Sequence, residues 1–331
     1  MSRVFLLAPI VVLLAGCRTP PPQAEAFPPP PGHPNEAPPD AAIRITVVAT
    51  NDLHGRVTAS AAPLPNGGET RQGGLSTFAG YLEILRAENP GGVLLVDAGD
   101  LFQGTLASNL TEGEVVIEAY NHLGYAAAAL GNHEFDYGPL GPASVASSPQ
   151  DDPFGALKAR LKQARFPILA VNVYDARSGA RPEWLPNDGT AIVELKGMKI
   201  GLIGLITPTT PNTTHPVNVS TLSFGSLVPE AVAAARRLRE KGADLVIGIA
   251  HAGGKCSRFD DPTDLSSCDT EFGEIFELLR ELPPGLVDAM VAGHTHAELA
   301  HSVNGIPVVE TPGLGRSFAT LDLWVDPKTR R

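Results

Sequence analysis

The sequence predicts an α/β fold in which two mixed sheets pack face to face. Three observations carry that expectation. Early in the chain, buried apolar runs alternate with segments of helical spacing, the pattern of βαβ units. In the middle and at the end, strand pairs meet at Lys196-Gly197 and Asn304-Gly305, the signature of hairpins and therefore of antiparallel neighbours. Each buried strand also runs into a polar cluster, and open α/β sheets bind ligands at the carboxyl ends of their strands.

The first 42 residues stand apart from this pattern. Met1 to Arg3 is a short basic region and Val4 to Ala15 an apolar one. Its length falls short of the ~20 residues that span a bilayer, so it reads as a signal peptide. It closes on Leu14-Ala15-Gly16-Cys17, which resembles the bacterial lipobox, whose cysteine is lipidated and becomes the new N-terminus. The alternative is an ordinary signal peptide with an incidental cysteine. Residues 18–42 are rich in Pro, Ala and Glu, with almost nothing apolar to bury. Such a composition gives an extended tether. The expected location is the cell envelope, lipid-anchored to a membrane and facing the periplasm or cell exterior.

Residues 43–331 are read as one domain, long enough for a substantial core. Ile43 to Thr50 is a β-branched run that suits a buried strand. Gly74 to Glu88 places Phe78, Leu82 and Leu85 at helical spacing and stops before Asn89-Pro90-Gly91. Val93 to Ala98 is a second buried strand, Glu114 to Leu123 a helix, and Tyr125 to Leu130 a third strand. Phe154 to Arg165 reads as helix and Ile168 to Asn172 as strand. Ala191 to Leu195 and Met198 to Ile206 form the middle hairpin. Val228 to Lys241 and Thr270 to Leu282 are helices, with strands at Leu245 to Ala250 and Val287 to Ala292. Leu299 to Val325 is a closing β stretch.

The net charge is −11, with no Lys/Arg run. That argues against a nucleic-acid polymer as partner, but not against a small anion held by metal. Beyond Cys17 there are two cysteines, Cys256 and Cys268, separated by a segment rich in Asp and Ser with one Pro. An exported chain allows them to pair as a disulfide. Two free thiols or a metal pair remain open, although no further Cys or sequence-close His supports a zinc ribbon.

The polar clusters carry the chemistry. Asp52-Leu53-His54 follows the first strand, and Asp97-Ala98-Gly99-Asp100 the second. Gly131-Asn132-His133-Glu134-Phe135-Asp136 follows the third. His251 and Gly293-His294-Thr295-His296 end two later strands. Any one cluster could be a polar turn with a solvated histidine. All five at strand ends, holding five of the nine histidines, form a donor set of imidazoles and carboxylates suited to metal. Asp136 lies close enough to His133 to orient an imidazole that can act as acid or base near neutral pH.

This constellation resembles the calcineurin-like metallophosphoesterase signature. The longer runs Thr50 to Gly55, Asp97 to Gly104 and Leu130 to Gly138 are similar to the bacterial 5′-nucleotidase and UDP-sugar hydrolase branch. The resemblance implies a four-layer αββα sandwich. It also implies two divalent ions, with Mn, Zn, Fe and Co all compatible. Asp52, His54, Asp100 and His296 would hold the first, and Asp100, Asn132, His251 and His294 the second, with Asp100 bridging. The implied reaction is in-line attack of a metal-bridging hydroxide on a small phosphate ester, assisted by His133 and its partner Asp136. Glu134 matches the motif without a ligand role.

Two departures shape the expected substrate. Leu101-Phe102-Gln103-Gly104 replaces the arginine-bearing sequence of protein phosphatases, so protein substrates are set aside. The nucleotidase branch continues into a base-binding domain, whereas this sequence stops at Arg331. The expectation is an open site with little base preference unless a partner chain covers it. Cyclic phosphodiesters, nucleotide-sugar pyrophosphates and sulfur esters are the alternative substrates. A non-catalytic binding lipoprotein is the remaining reading, disfavoured by the intact donor set.

Overall fold

The structure, a computed structural model, describes residues 42–64 and 67–330. Cys17 and most of the tether lie outside the described residues. The first strand, β1 (Ile43–Thr50), is followed by a short hairpin of β2 (Ser60–Pro63) and β3 (Glu69–Gln72). The sequence alone reads as a loop there, because Pro and Gly break its alternation. Helix α1 (Leu75–Glu88) then buries Leu75, Phe78 and Leu82. Next come β4 (Val93–Asp97), α2 (Leu106–Leu110), α3 (Glu114–Leu123) and β5 (Ala127–Ala129). The first half closes with α4 (Gly155–Gln163) and β6 (Ile168–Leu169).

The second half opens with β7 (Val173–Asp175) and the hairpin β8 (Thr190–Leu195) and β9 (Met198–Ile206). It continues through α5 (Thr210–Thr213), β10 (Leu222–Phe224), α6 (Leu227–Glu240) and β11 (Leu245–His251). It ends with α7 (Glu274–Glu281), β12 (Ala289–Ala292), β13 (Leu299–Val303), β14 (Ile306–Glu310) and β15 (Ala319–Val325).

Several boundaries differ from expectation by a few residues, two of them for clear local reasons. The helix expected from Thr270 begins only at Glu274, because Gly273 is extended, at φ −77° and ψ 109°. The strand expected from Tyr125 is shorter, since the Tyr125 amide turns back to donate to the Tyr120 carbonyl.

One sheet has the order β15-β1-β4-β5-β6, the other β13-β14-β12-β11-β9-β8. Both are mixed. β1, β4, β5 and β6 run parallel while β15 pairs antiparallel with β1, Ile43 opposite Val325. In the second sheet, β14, β12, β11 and β9 are parallel, and β13 and β8 are antiparallel edges.

The period-2 alternation of a strand decides the layering. Ile45, Val47 and Ala49 of β1 point into a core shared with Ile200 and Leu202 of β9 and Ile247 and Ile249 of β11. Val48 points the other way, onto Leu82 of α1 and Ile117 of α3. Beyond the second sheet, Leu238 of α6 and Phe276 of α7 cover Val246 and Met290. The result is helices, sheet, sheet, helices: the four-layer αββα sandwich. Every parallel strand is buried on both faces, which is why these runs read as nearly continuous apolar sequence.

Cys256 and Cys268 are joined by a disulfide across 12 residues. A loop of this size stabilises by ~3 kcal/mol in the chain-entropy account. Cys256→Ser/Cys268→Ser should therefore lose ~2–3 kcal/mol in a denaturant melt. An unchanged midpoint would show that the loop is ordered by its hydrogen bonds alone.

Candidate metal centre

The five polar clusters converge because the parallel strands of both sheets end on one edge. β1 delivers Asp52 and His54, β4 delivers Asp100, β5 delivers Asn132 and His133, β11 ends on His251, and β12 leads into His294 and His296. Two donor groups result, Asp52 with His54 and His296, and Asp100 with His251 and His294. Asp100 lies between them. Its Oδ2 is 3.2 Å from His251 Nε2 and 3.6 Å from His54 Nε2. His296 Nε2 is 3.4 Å from Asp52 Oδ1, and 3.1 Å from His54 Nε2. Asn132 Oδ1 joins the second group, 2.8 Å from His251 Nε2.

The backbone is bent to achieve this. Asp52, His54, Asp100, His294 and His296 all have positive φ, between 48° and 82°. Left-handed backbone costs a non-glycine residue ~1–3 kcal/mol and persists where the surroundings impose it. Gly131 shows how tight the edge is: a Cβ there would lie 2.2 Å from Asp100 Oδ1.

The donor chemistry fits divalent ions. His251 Nδ1 lies 2.8 Å from the Ala98 carbonyl, and His54 Nδ1 lies 2.8 Å from the Gln103 carbonyl. With each Nδ1–H donating there, each Nε2 lone pair faces the carboxylates, the arrangement that orients a metal-binding imidazole. His251 Nε2, Asn132 Oδ1 and Asp100 Oδ2 are then acceptors pointing at one another, which requires a proton or a cation among them. Nitrogen and oxygen ligands bind zinc-like ions at about 2.0–2.2 Å, so donors 3.1–3.6 Å apart suit the edges of one coordination shell. Asn132 is held in register by its Nδ2, which donates to the Thr213 carbonyl at 2.8 Å.

His133 stands beside this set without joining either group. Its Nδ1 is 2.5 Å from Asp136 Oδ2, and Asp136 Oδ1 accepts from the Thr214 hydroxyl at 2.6 Å. Burial opposes charge on the ring, but Asp136 and Asp100 overcome it and raise the His133 pKa to about 9. The His133 backbone N–H donates to Asp100 Oδ1 at 2.9 Å.

The sequence reading gave no role to the residues that brace the candidate ligands. Glu134 is buried, and its carboxylate accepts from the backbone N–H groups of Asp100, Leu101 and Gly131 at 2.7–2.9 Å. Burial pushes its pKa up to about 8. Asn51 Nδ2 donates to Asp52 Oδ2 at 2.7 Å and to the Thr311 carbonyl at 2.8 Å. Glu310 accepts from Thr295 N–H and hydroxyl and from Gly254 N–H. A carboxylate ending the apolar run Ile306–Val309 was the available signal. His301 was likewise given no role. It lies well beyond Cys268 in sequence, yet its ring nitrogen comes within 4.8 Å of both disulfide sulfurs.

Glu310→Ala leaves those donors unpaired, and each buried orphan costs ~1–3 kcal/mol. We expect ~2–4 kcal/mol of lost stability in a melt and a roughly 10–100-fold loss of metal affinity. Unchanged metal affinity would mean that the His294 turn holds its shape without Glu310.

Comparison with known proteins agrees with this geometry. The profile of the family described as calcineurin-like phosphoesterase matches residues 45–298. A 5′-nucleotidase of Vibrio vulnificus is 29% identical over 301 residues, 88% of this chain and 45% of that protein. The chain thus spans about half the length of the curated relatives it matches. Among solved structures, a 5′-nucleotidase precursor from Thermus thermophilus superposes with a TM-score of 0.68 at 28% identity, covering 86% of this chain and 52% of that one. The calcineurin-like phosphoesterase YfkN of Bacillus subtilis gives 0.64 at 25% identity, with 86% of each chain covered.

Proposed function

The chain belongs to the calcineurin-like phosphoesterase family, and from that premise we propose that it hydrolyses small phosphate esters, 5′-nucleotides foremost, with two divalent ions. The observation that carries the reading is the pair of donor groups meeting at Asp100, with His133 poised beside them. Asp52, His54, Asp100 and His296 would hold one ion, and Asp100, Asn132, His251 and His294 the other. When bound, two such ions clamp phosphoryl oxygens and make a shared water acidic enough to attack at neutral pH. Mn, Zn, Fe and Co all suit nitrogen and oxygen donors.

The protein's own groups supply the rest. Asp100 sets the spacing of the two donor groups. Asn132, fixed by Thr213, contributes a neutral oxygen. Asp136 favours the protonated form of His133, whose pKa is raised to about 9. With Nδ1 committed to Asp136, its Nε2–H is available to a phosphoryl oxygen or the departing alkoxide.

The rim is open: the His133 and His296 side chains are 32% and 36% exposed. A pocket must contact a leaving group to select it, so little base preference is expected unless another chain covers the site. Assay of metal-loaded protein against AMP, UMP, an aryl phosphate, a cyclic nucleotide and a UDP-sugar tests the proposal. Chelator-sensitive turnover of AMP and UMP within about tenfold of each other supports it. Turnover of the cyclic or sugar nucleotide alone moves the substrate to those classes, and no turnover of any sinks the reading.

We further propose that Cys17 carries lipid and that the folded domain faces the periplasm or cell exterior. The support is the apolar run ending at Leu14-Ala15-Gly16-Cys17, together with a disulfide, a bond that persists in oxidising compartments. Cys17→Ser should release the protein from the membrane fraction. Unchanged fractionation and mature mass would dispose of the idea.

A further inference from the structure

A second concavity lies behind the metal loops. It has a volume of about 390 Å³ and opens between the end of β3, the start of α1 and the 315–318 segment. Its floor includes Asn51 and Leu53, which flank Asp52, yet none of the seven candidate metal ligands lines it. Gly73 lets the hairpin close against the 315–318 segment, since a Cβ there would lie 2.2 Å from the Gly315 carbonyl oxygen.

The lining has a definite chemistry. Arg71 and Arg316 both border the cavity, and no Asp or Glu does. In a chain of net charge −11, a wall with two guanidinium groups and no carboxylate is a local reversal of sign. Neither arginine has a carboxylate partner among the described residues. Arg71 donates to the Ala59 carbonyl. Aromatic residues share the lining. Phe318 packs against Phe78 at 5.2 Å and Tyr81 at 5.7 Å between ring centroids, and Tyr81 remains 55% exposed. Thr77 and Ser317 add polar groups.

We infer that this cavity is a binding site, separate from the metal centre, for a small planar organic anion: a ring bearing a carboxylate or phosphate. Guanidinium groups recognise such anions through paired N–H donors. Aromatic side chains take the ring by offset or edge contact. The volume falls within the ~300–1,000 Å³ of small-molecule sites.

The test is calorimetric titration of the full-length, metal-loaded protein with 2-naphthoate, and with neutral 2-naphthalenemethanol as the uncharged counterpart. One saturable site is expected, at least tenfold tighter for the carboxylate. Arg316→Ala and Phe318→Ala should each weaken 2-naphthoate at least tenfold, and Arg71→Ala should weaken it measurably. All three positions are at least partly exposed, so folding should survive. Binding should be unchanged in His133→Ala and after metal removal by a chelator. The inference is overturned by the absence of saturable binding or by full affinity in the arginine variants. Loss of binding on chelation also overturns it, because the anion would then be sitting on the metal centre. These outcomes are independent of whether phosphate esters are hydrolysed.

Discussion

Asp100→Asn should empty both halves of the metal centre and lower kcat/KM by roughly 10³–10⁴-fold, more than any other single ligand change. The geometry explains why the amide cannot substitute. Asp100 Oδ1 accepts from the His133 backbone N–H at 2.9 Å. Oδ2 faces His251 Nε2 at 3.2 Å and His54 Nε2 at 3.6 Å. An asparagine that keeps its oxygen on His133 N–H must turn its NH₂ toward the imidazoles, placing hydrogens where a cation would sit. The alternative flip opposes two N–H donors and leaves the backbone unpaired. Either way the negative charge shared by the two donor groups is gone. Ion contributions to transition-state stabilisation amount to several kcal/mol, and each ~1.4 kcal/mol is tenfold in rate. Metal analysis and steady-state kinetics of the variant check this. Retention of two ions per chain would refute the bridging role.

His133→Ala should behave in the opposite way, with near-normal metal content and kcat down ~10²–10⁴-fold, the range for loss of a positioned general acid. The ring belongs to neither donor group, and its link to Asp100 runs through the backbone N–H, which alanine keeps. What disappears is an imidazole whose protonated form Asp136 favours through a 2.5 Å contact with Nδ1. Asp136→Asn should give a smaller loss with the same intact metal content, because the ring remains but its charge is less favoured. Equal metal loss in His133→Ala and Asp100→Asn would contradict the division of roles.

The layered fold was legible because burial leaves a direct trace in sequence. The runs Met198–Ile206 and Leu245–His251 are largely apolar on both alternating faces, as strands between a sheet and a helix layer must be, and Ile43–Thr50 is β-branched along most of its length. The bounds of α3, Glu114–Leu123, follow from its apolar spacing and the Gly124 that stops it. The short elements left no such trace. β2 and β3 are exposed, and β7 pairs with β10 across a long separation, so their pairing depends on contacts that no local pattern encodes.

The candidate site divides in the same way. Chemistry-bearing residue types at five strand ends could be read from the chain, because the strand signal and the polar cluster are adjacent in sequence. The bracing groups could not. Glu310 reaches Thr295 across 15 residues and Asn51 reaches Thr311 across 260. Each matters only because two buried polar groups satisfy one another at that distance, a condition on space and not on sequence. The same holds for the cavity of Arg71, Arg316 and Phe318, assembled from segments far apart in the chain. The sequence by itself determined the layers and the donor inventory, since hydrophobic period and residue type are local properties. Only the tertiary structure decided how closely those donors approach one another, which carboxylates merely hold loops, and where a cavity bordered by two arginines opens in an acidic chain. Those outcomes depend on side chains meeting within a few ångströms after the backbone has been bent to bring them there.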